Sequence, residues 1–154
     1  MIKVLFVCLG NICRSPMAEF VFKDLIKKNN LSKDFLIESA ATSSEEVGNP
    51  VHYGTRNQLA KYGISCNGKR ARKITPNDYF EYDYILGMES RNVVNMLRIF
   101  NGDPYNKIKR LLDYSVNPRD IADPWYTGNF EKTYEDIVEG CNAFLEFLRN
   151  EKVF

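Results

Sequence analysis

Histidine is almost absent from this chain, since His52 is the only one among 154 residues. A metal site built from clustered histidines is therefore disfavoured. Cysteine occurs four times, at Cys8, Cys13, Cys66 and Cys141, but no two of these form a Cys-x-x-Cys pair, which argues against a zinc ribbon or a thioredoxin-type motif. We therefore expect no metal and no other cofactor. Unpaired cysteines of this kind also predict free thiols and a reducing compartment, the cytoplasm.

The sequence also lacks an excess of either charge. Lysine and arginine total 21 and aspartate and glutamate total 20, which gives a net charge of +1 and argues against binding to nucleic acid through a strongly basic surface. No apolar run approaches the roughly 20 residues that a membrane-spanning helix needs, so no membrane span is expected. The short apolar start, Met1–Val7, has no small-residue cleavage site after it and is typical of a buried strand rather than of a secretory signal.

Apolar runs and helical periodicities alternate along the chain, with no repeat and no linker between them. We predict strands over Ile2–Cys8, Phe35–Ala41, Asp83–Met88 and Ile108–Leu112, and helices from Ser15 to Asn29–Asn30, over Thr55–Tyr62, from Ser90 to Phe100 and over Phe130–Arg149, with loops over 42–53 and 113–129. Ser90 is expected to cap its helix, and Glu19 to lie in the first turn of another, where the helix dipole favours an acid.

This alternation predicts an α/β fold. We expect residues 1–154 to form a single domain, a three-layer sandwich in which a four-stranded parallel sheet of flavodoxin-like order is flanked by helices. In such folds ligands bind beyond the carboxyl ends of the strands. The turn after the first strand and the loop after the fourth are therefore the places where a site is expected.

The turn after the first strand has the composition of an anion-binding loop. It reads Cys8-Leu9-Gly10-Asn11-Ile12-Cys13-Arg14-Ser15, and we call residues 8–15 the anion loop. It runs into a helix N-terminus, where unpaired N–H groups and the helix dipole attract anions. Gly10 and Asn11 tolerate the left-handed conformations that a concave loop requires. The glycine-rich NTP-binding pattern with its lysine is absent.

Cys8 and Arg14 are the candidate chemical groups of the anion loop. Converging amide dipoles and a guanidinium favour a thiolate, which is a nucleophile that needs no histidine base. Arg14 offers a planar fork for two phosphate oxygens, and Ser15 is placed to donate to the sulfur. A Cys-x5-Arg spacing alone is equally compatible with a buried thiol and a surface charge. The strand–loop–helix context favours the nucleophile.

The stretch from Val7 to Glu19, VCLGNICRSPMAE, resembles the phosphate-binding loop and following helix of the low-molecular-weight protein tyrosine phosphatases. The resemblance extends to 38–42 (ESAAT), 83–88 (DYILGM) and 123–126 (DPWY), so it covers almost the whole chain. It implies a protein tyrosine phosphatase that hydrolyses phosphotyrosine and aryl phosphates through a phosphocysteine, without metal. The expected partners are phosphotyrosine-containing proteins, with inorganic phosphate or other oxyanions in the loop.

The resemblance also implies a role for each site residue. Cys8, Arg14 and Asp123 would be catalytic, and the substrate-binding residues would be Leu9, Gly10, Asn11, Ile12, Cys13, Ser15, Trp125 and Tyr126. Asp123 would protonate the leaving phenolate and then activate water. By itself Asp123-Pro124 is more typical of an ordinary turn, and the two aromatic residues after it are compatible with ordinary packing. Five residues from Cys8, Cys13 is placed to form a reversible disulfide with it; inert packing is the alternative.

The sequence departs from the family at two places. The loop after the second strand carries Ser43-Ser44-Glu45-Glu46 where the family usually has an aromatic residue, and this acidic wall is expected to disfavour acidic phosphopeptides. Lys69 stands where the family commonly has a histidine behind the loop, which puts the support of Asn11 and Ser15 in doubt. The basic run 69–73 is otherwise expected to be a solvated face, and His52 a surface histidine.

Three other functions fit parts of the pattern. A thiol-dependent arsenate reductase uses a similar loop, but it needs a further cysteine pair, and none lies between Arg70 and Met88. A phosphate-binding module without turnover has no use for a reactive thiolate. A phosphocysteine carrier would not need Arg14 and Asp123 together.

Overall fold

The computed structural model describes all residues, 1–154, as alternating strands and helices. In chain order the elements are β1 Ile2–Cys8, α1 Arg14–Lys28, β2 Phe35–Ala41, α2 Tyr53–Ala60, α3 Asp78–Glu81, β3 Tyr84–Gly87, α4 Ser90–Ile99, β4 Ile108–Arg110, α5 Pro124–Thr127 and α6 Phe130–Asn150. Short 3-10 turns lie at Ser32–Asp34 and Leu111–Tyr114. No helix combines the length and the apolar character that crossing a bilayer would require.

The four strands form one parallel sheet in the order β2-β1-β3-β4. The predicted fold class and strand order are therefore confirmed. β1 pairs with β2 along its whole length, from Ile2 opposite Phe35 to Cys8 opposite Ala41, and with β3 on its other side. Because the chain passes from β1 to β2 on one side and then to β3 on the other, the end of β1 is the topological switch point, where α/β sheets bind ligands.

Both faces of the sheet are covered. Because successive side chains of a strand point in opposite directions, β1 contributes to a core on each face. From β1, Val4, Phe6 and Cys8 join the larger core, which α1 and α6 cover. Leu5 and Val7 join the smaller core beside α4. Phe22 of α1 fills the larger core, with ring centroids 5.8 Å from Phe6 and 5.4 Å from Phe144 of α6. The alternation thus points the Cys8 sulfur toward the start of α1.

Several predicted boundaries are corrected. α2 begins two residues earlier than predicted and ends two earlier, β3 and β4 are shorter, and α3 was not predicted. The predicted loop 113–129 contains the short helix α5, for which Asp123 is the N-cap residue. The N-cap residue of α4 is Glu89 rather than Ser90, and the Asn92 side chain accepts from the Glu89 backbone N–H at 3.0 Å.

Glu19 does not lie in the first turn of its helix. α1 begins at Arg14, so Glu19 is six residues into the helix and no acid occupies the first turn. Its side chain is buried, and a buried carboxylate needs hydrogen bonds or a cation. The partners that supply them lie behind the anion loop and are described below.

Candidate active site

The anion loop curls around the Cys8 sulfur. The backbone N–H groups of Asn11 and Ser15 point at Sγ from 3.3 and 3.4 Å, and the Ser15 hydroxyl lies 3.0 Å from it. Cys8 itself is 3 % exposed, at the carboxyl end of the central strand β1. These donors are the groups that stabilise negative charge on sulfur.

Asn11 supplies the left-handed residue of the loop, with φ of 59°. Gly10 was predicted to share this role, but its φ is not positive. A Cβ at Gly10 would lie 3.3 Å from Cγ of Glu46, so a larger residue would make the Glu46 side chain shift by a few tenths of an ångström. The loop after β2 therefore packs closely over the anion loop at this glycine.

A buried polar network supports the anion loop from behind. The Asn11 amide donates to the hydroxyls of Ser15 (2.8 Å) and Ser39 (3.0 Å), and the Ser39 hydroxyl donates to Glu19 at 2.5 Å. Lys69 Nζ donates to the Ser39 carbonyl at 2.8 Å and lies 3.3 Å from the Glu19 carboxylate. The lysine thus takes part in this network, and the doubt about the support of Asn11 and Ser15 is resolved.

The basic run 69–73 is only partly a solvated face. Lys69 is largely buried against Glu19, and Arg72 pairs with Asp78 at 3.0 Å while its backbone N–H donates to the Asn11 side chain at 3.2 Å. Arg70 and Lys73 remain exposed, as predicted. Two of the four charges in this run are therefore paired within the protein, and the backbone of the segment bonds to the anion loop.

Arg14 is buried at the start of α1 and its guanidinium is tied on two sides. One nitrogen donates to Glu89 at 2.5 Å and to the Ile121 carbonyl at 2.8 Å, and the other donates to Asp123 at 3.4 Å. Burial alone would lower the pKa of Arg14, but the negative charges of Cys8, Glu89 and Asp123 outweigh it and raise the pKa above its ordinary value. The fork is therefore held as a cation beside the sulfur.

Glu89 is the site residue that sequence reasoning missed. It follows β3, which pairs with β1 so that Gly87 lies opposite Val7. Because parallel strands end at the same edge of the sheet, an acid two residues after Gly87 is brought beside the anion loop. That topological signal was present in the sequence.

Asp123 faces Arg14 from the loop after β4. One carboxylate oxygen accepts from the Trp125 backbone N–H at 3.0 Å and so caps α5, and the other is the Arg14 partner. The Asp123 side chain is 21 % exposed, which leaves it open to the pocket. Trp125 and Tyr126 are exposed at the mouth of the pocket.

The anion loop, the acid and the aromatic residues together enclose one pocket of about 150 Å³. Most of the predicted residues line it, together with two glutamates of the loop after β2: Cys8, Leu9, Gly10, Ile12, Cys13, Arg14, Glu45, Glu46, Asp123, Trp125 and Tyr126. Asn11 and Ser15 were predicted to bind substrate, but they do not line the pocket. They act behind it, through the network and the contacts with sulfur.

The remaining cysteines are buried free thiols. Burial, with the negative charge of Cys8 adding to it, raises the pKa of Cys13 to about 12. Cys66 and Cys141 are both buried, and burial raises the pKa of each above its ordinary value. Cys8 is thus the one cysteine surrounded by donors that favour an anion.

His52 is not a plain surface histidine. Its backbone N–H donates to the Ile12 carbonyl at 2.9 Å, and its Nδ1 accepts from the Gly54 N–H at 3.0 Å as the cap of α2. Its ring stacks on Phe130 at 5.3 Å and meets the edge of Trp125 at 5.5 Å. His52 therefore joins the anion loop to the segment that carries Asp123.

The fold and the site together define a class of protein. An α/β domain in which a thiolate-stabilising loop, a fixed arginine and an opposing acid meet is typical of a cysteine-dependent phosphatase. No three His, Cys, Asp or Glu side chains are grouped in a way that could hold a metal ion.

Comparison with known proteins identifies the family. The sequence profile of low molecular weight phosphotyrosine protein phosphatases matches residues 3–153. The chain is 43% identical to the low molecular weight protein-tyrosine-phosphatase YfkJ of Bacillus subtilis, over 99% of both chains, and 43% identical to the human low molecular weight phosphotyrosine protein phosphatase, over 94% of both. The chain belongs to this family and is a phosphatase enzyme of the protein-tyrosine class.

Solved structures agree with this assignment. The crystal structure of YfkJ superposes with a TM-score of 0.94 and covers 99% of this chain and 97% of its own. A Drosophila arginine phosphatase superposes with a TM-score of 0.86 at 34% identity, covering 95% of this chain and 97% of its own.

Proposed function

We propose that this chain hydrolyses phosphotyrosine with Cys8 as nucleophile, Arg14 as phosphate ligand and Asp123 as general acid and base. The observation that carries the proposal is the arrangement at the pocket floor. The Cys8 sulfur accepts two backbone N–H groups there, and the Arg14 guanidinium spans from Glu89 to Asp123 beside it. A phosphoryl group seated on the sulfur would have donors around it and an acid opposite.

The reaction has two displacement steps at phosphorus. In the first, the Cys8 thiolate forms an S–P bond as the bond to the phenolic oxygen breaks, and Asp123 gives its proton to that oxygen. In the second, water attacks the phosphocysteine and gives a proton to the Asp123 carboxylate, and the S–P bond breaks to release phosphate and the thiolate. Arg14 and the backbone amides of the pocket-lining residues Leu9, Gly10, Ile12 and Cys13 stabilise the equatorial oxygens in both steps.

The Ser15 hydroxyl supports the departure of sulfur in the second step. It lies 3.0 Å from Sγ and accepts from the Asn11 amide, so its own proton has two acceptors within reach, the Ala40 carbonyl at 3.5 Å and the nearer sulfur. Donation to the thiolate stabilises the leaving group, which is why Asn11 and Ser15 contribute although they do not line the pocket.

The pocket walls favour an aromatic substrate. The sulfur is buried, and Trp125 and Tyr126 flank the path to it, so a phenyl ring can stack while its phosphate reaches the floor. The shorter side chain of phosphoserine would not carry its phosphate that far. Because one structural neighbour is an arginine phosphatase, phosphoarginine is the comparison substrate of choice.

We further propose that residues 1–154 act as one phosphatase domain on phosphotyrosine-containing proteins in the cytoplasm, with inorganic phosphate and other oxyanions binding in the anion loop. Four free thiols, one of them the nucleophile, suit a reducing compartment.

The test is steady-state hydrolysis of phosphotyrosine, phosphoserine and phosphoarginine peptides and of an aryl phosphate, with a chelator present. Cys8→Ser should abolish turnover yet still bind phosphate by calorimetry, and vanadate should inhibit the wild type. Cys66→Ala, which removes a thiol outside the pocket, is the matched control. Turnover retained by Cys8→Ser would overturn the nucleophile, and phosphoarginine as the best substrate would overturn the substrate class.

A further inference from the structure

The rim of the pocket carries charge of one sign. Its lining includes the acids Glu45, Glu46 and Asp123, and Arg14 is the only cation. Arg14 is 2 % exposed and already pairs with Glu89 and Asp123, so its charge serves the pocket floor. The charged side chains that line the pocket above its floor are therefore all negative.

The backbone fixes the position of these two glutamates. The N–H groups of Thr42 and Ser43 donate to the Cys8 and Leu9 carbonyls, each at 3.0 Å, so the loop after β2 leaves the sheet directly over the anion loop. The absent side chain at Gly10 then makes room for Glu46, as described above. The loop thus holds residues 45 and 46 at the pocket that Asp123 also lines.

Neither glutamate is neutralised by the protein. Glu45 is exposed and makes no hydrogen bond or ion pair, and Glu46 accepts only from the Asn49 amide, at 2.6 Å. Arg70, on the neighbouring segment, donates instead to the Gly48 carbonyl at 3.2 Å. Both carboxylates are therefore free to pair with a cation of the substrate.

We infer that Glu45 and Glu46 are specificity-determining residues, which select phosphotyrosine flanked by lysine or arginine. The inference rests on the proposed function. The phosphate is neutralised at the floor by Arg14 and the loop amides, while the neighbouring residues of a peptide lie at the rim, beside Glu45 and Glu46. Basic neighbours gain an ion pair there, and acidic neighbours are repelled.

The expected size of the effect follows from the exposure of the rim. Exposed ion pairs are weak, and each changes affinity by about 1.4-fold to fivefold. Two glutamates therefore predict a preference of about twofold to 25-fold between a lysine-flanked and an alanine-flanked peptide, with a further loss for a glutamate-flanked one. The effect should appear in KM, because the rim does not touch the reacting atoms.

The experiment compares three phosphotyrosine peptides that differ only in having lysine, alanine or glutamate on both sides of the phosphotyrosine. kcat/KM is measured for the wild type, for the double variant Glu45→Gln, Glu46→Gln, and for Glu146→Gln. The amide of residue 46 still offers an oxygen to Asn49. Glu146 is exposed and unpaired on α6, so its variant makes the same kind of charge change away from the pocket.

The wild type and Glu146→Gln should prefer lysine over alanine over glutamate, and the double variant should lose most of this order. High salt should shrink the wild-type preference, because exposed charges are screened. Equal kcat/KM for the three peptides in the wild type, or an unchanged preference in the double variant, would overturn the inference. Failure of the wild type to hydrolyse any of the peptides would instead overturn the proposed function.

Discussion

Replacing Asp123 by asparagine separates its chemical role from its structural one. The Asp123 side chain caps α5 through the Trp125 N–H, and asparagine is an equally good cap. Its pairing with Arg14 is long, at 3.4 Å, and partly exposed, so its loss should cost about 1 kcal/mol or less. Arg14 keeps Glu89 and the Ile121 carbonyl. We therefore expect Asp123→Asn to fold, with a free energy of unfolding close to that of the wild type.

The rate should change far more than the stability. A positioned general acid accelerates a reaction by about 10²–10⁴, which corresponds to about 2.7–5.4 kcal/mol of the activation free energy. This acceleration is needed only when the leaving group is a strong base. Formation of the phosphocysteine should therefore slow by that factor for phenyl phosphate and by much less for 4-nitrophenyl phosphate. Hydrolysis of the phosphocysteine should slow with both substrates, because Asp123 also activates the water.

Stopped-flow measurement of both substrates tests this reasoning. With 4-nitrophenyl phosphate, Asp123→Asn should release a burst of nitrophenol equal to the enzyme concentration, followed by a slow steady state. With phenyl phosphate the burst should be absent. Asp120→Asn is the matched control, since Asp120 lies in the same loop and bonds to Ser90 and Arg110 outside the pocket. Equal slowing of phosphocysteine formation with the two substrates would refute Asp123 as the acid.

Three further predictions concern the surroundings of the anion loop. Lys69→Met should lower the free energy of unfolding by about 1–3 kcal/mol and reduce kcat, because the Ser39 carbonyl loses the Lys69 donor and Glu19 keeps only Lys23 as a cation. Denaturant titration with no change would contradict this. His52→Asn keeps an acceptor for the α2 cap but loses the ring that contacts Trp125, so its phenyl phosphate turnover should fall. His52→Phe keeps a ring but loses the cap, so its free energy of unfolding should fall by about 0.5–2 kcal/mol. The Cys8 sulfur accepts two backbone N–H groups, whereas burial and the Cys8 charge raise the pKa of Cys13 to about 12. Iodoacetamide at neutral pH should therefore label Cys8 and spare Cys13, as peptide mapping would show. The same shift lowers folding stability as the pH rises from about 9 to about 12, because the thiol ionises first in the unfolded chain.

The limits of a strand were predictable where its apolar residues are buried within the sheet. They were misjudged where apolar residues are buried against a helix instead. β1 is the clear case, and its limits match the structure. The predicted fourth strand, Ile108–Leu112, ends instead at Arg110, because Leu111 and Leu112 turn into a 3-10 helix against α6. Gly140 of α6 permits this packing, since a Cβ there would lie 2.5 Å from Leu111 Cγ. Apolar character reports burial, and it does not say which element supplies it.

The candidate site also has a part that the sequence predicts and a part that it does not. The anion loop is contiguous, so its spacing, its glycine and its position before a helix are all legible in the sequence. Glu89 is 75 residues away from Arg14, and the Ile121 carbonyl is 107 away. A backbone carbonyl has no sequence signal at all, because every residue has one. These partners become predictable only once the strand order is known.

The lysine at position 69 shows why a departure from a family pattern is a weak guide to loss of function. An imidazole and an ammonium can both donate a hydrogen bond, so either can serve the Ser39 carbonyl. The ammonium also lies 3.3 Å from Glu19, whose side chain is only 4 % exposed, and so adds a second cation to the one that Lys23 supplies at 2.6 Å. Whether a lysine can reach both groups depends on the backbone of residues 69–73, which is held by the Arg72 N–H on Asn11 and by the pairing of Lys73 with Ala41. The identity of the residue therefore matters less to the anion loop than the anchoring of the segment that carries it.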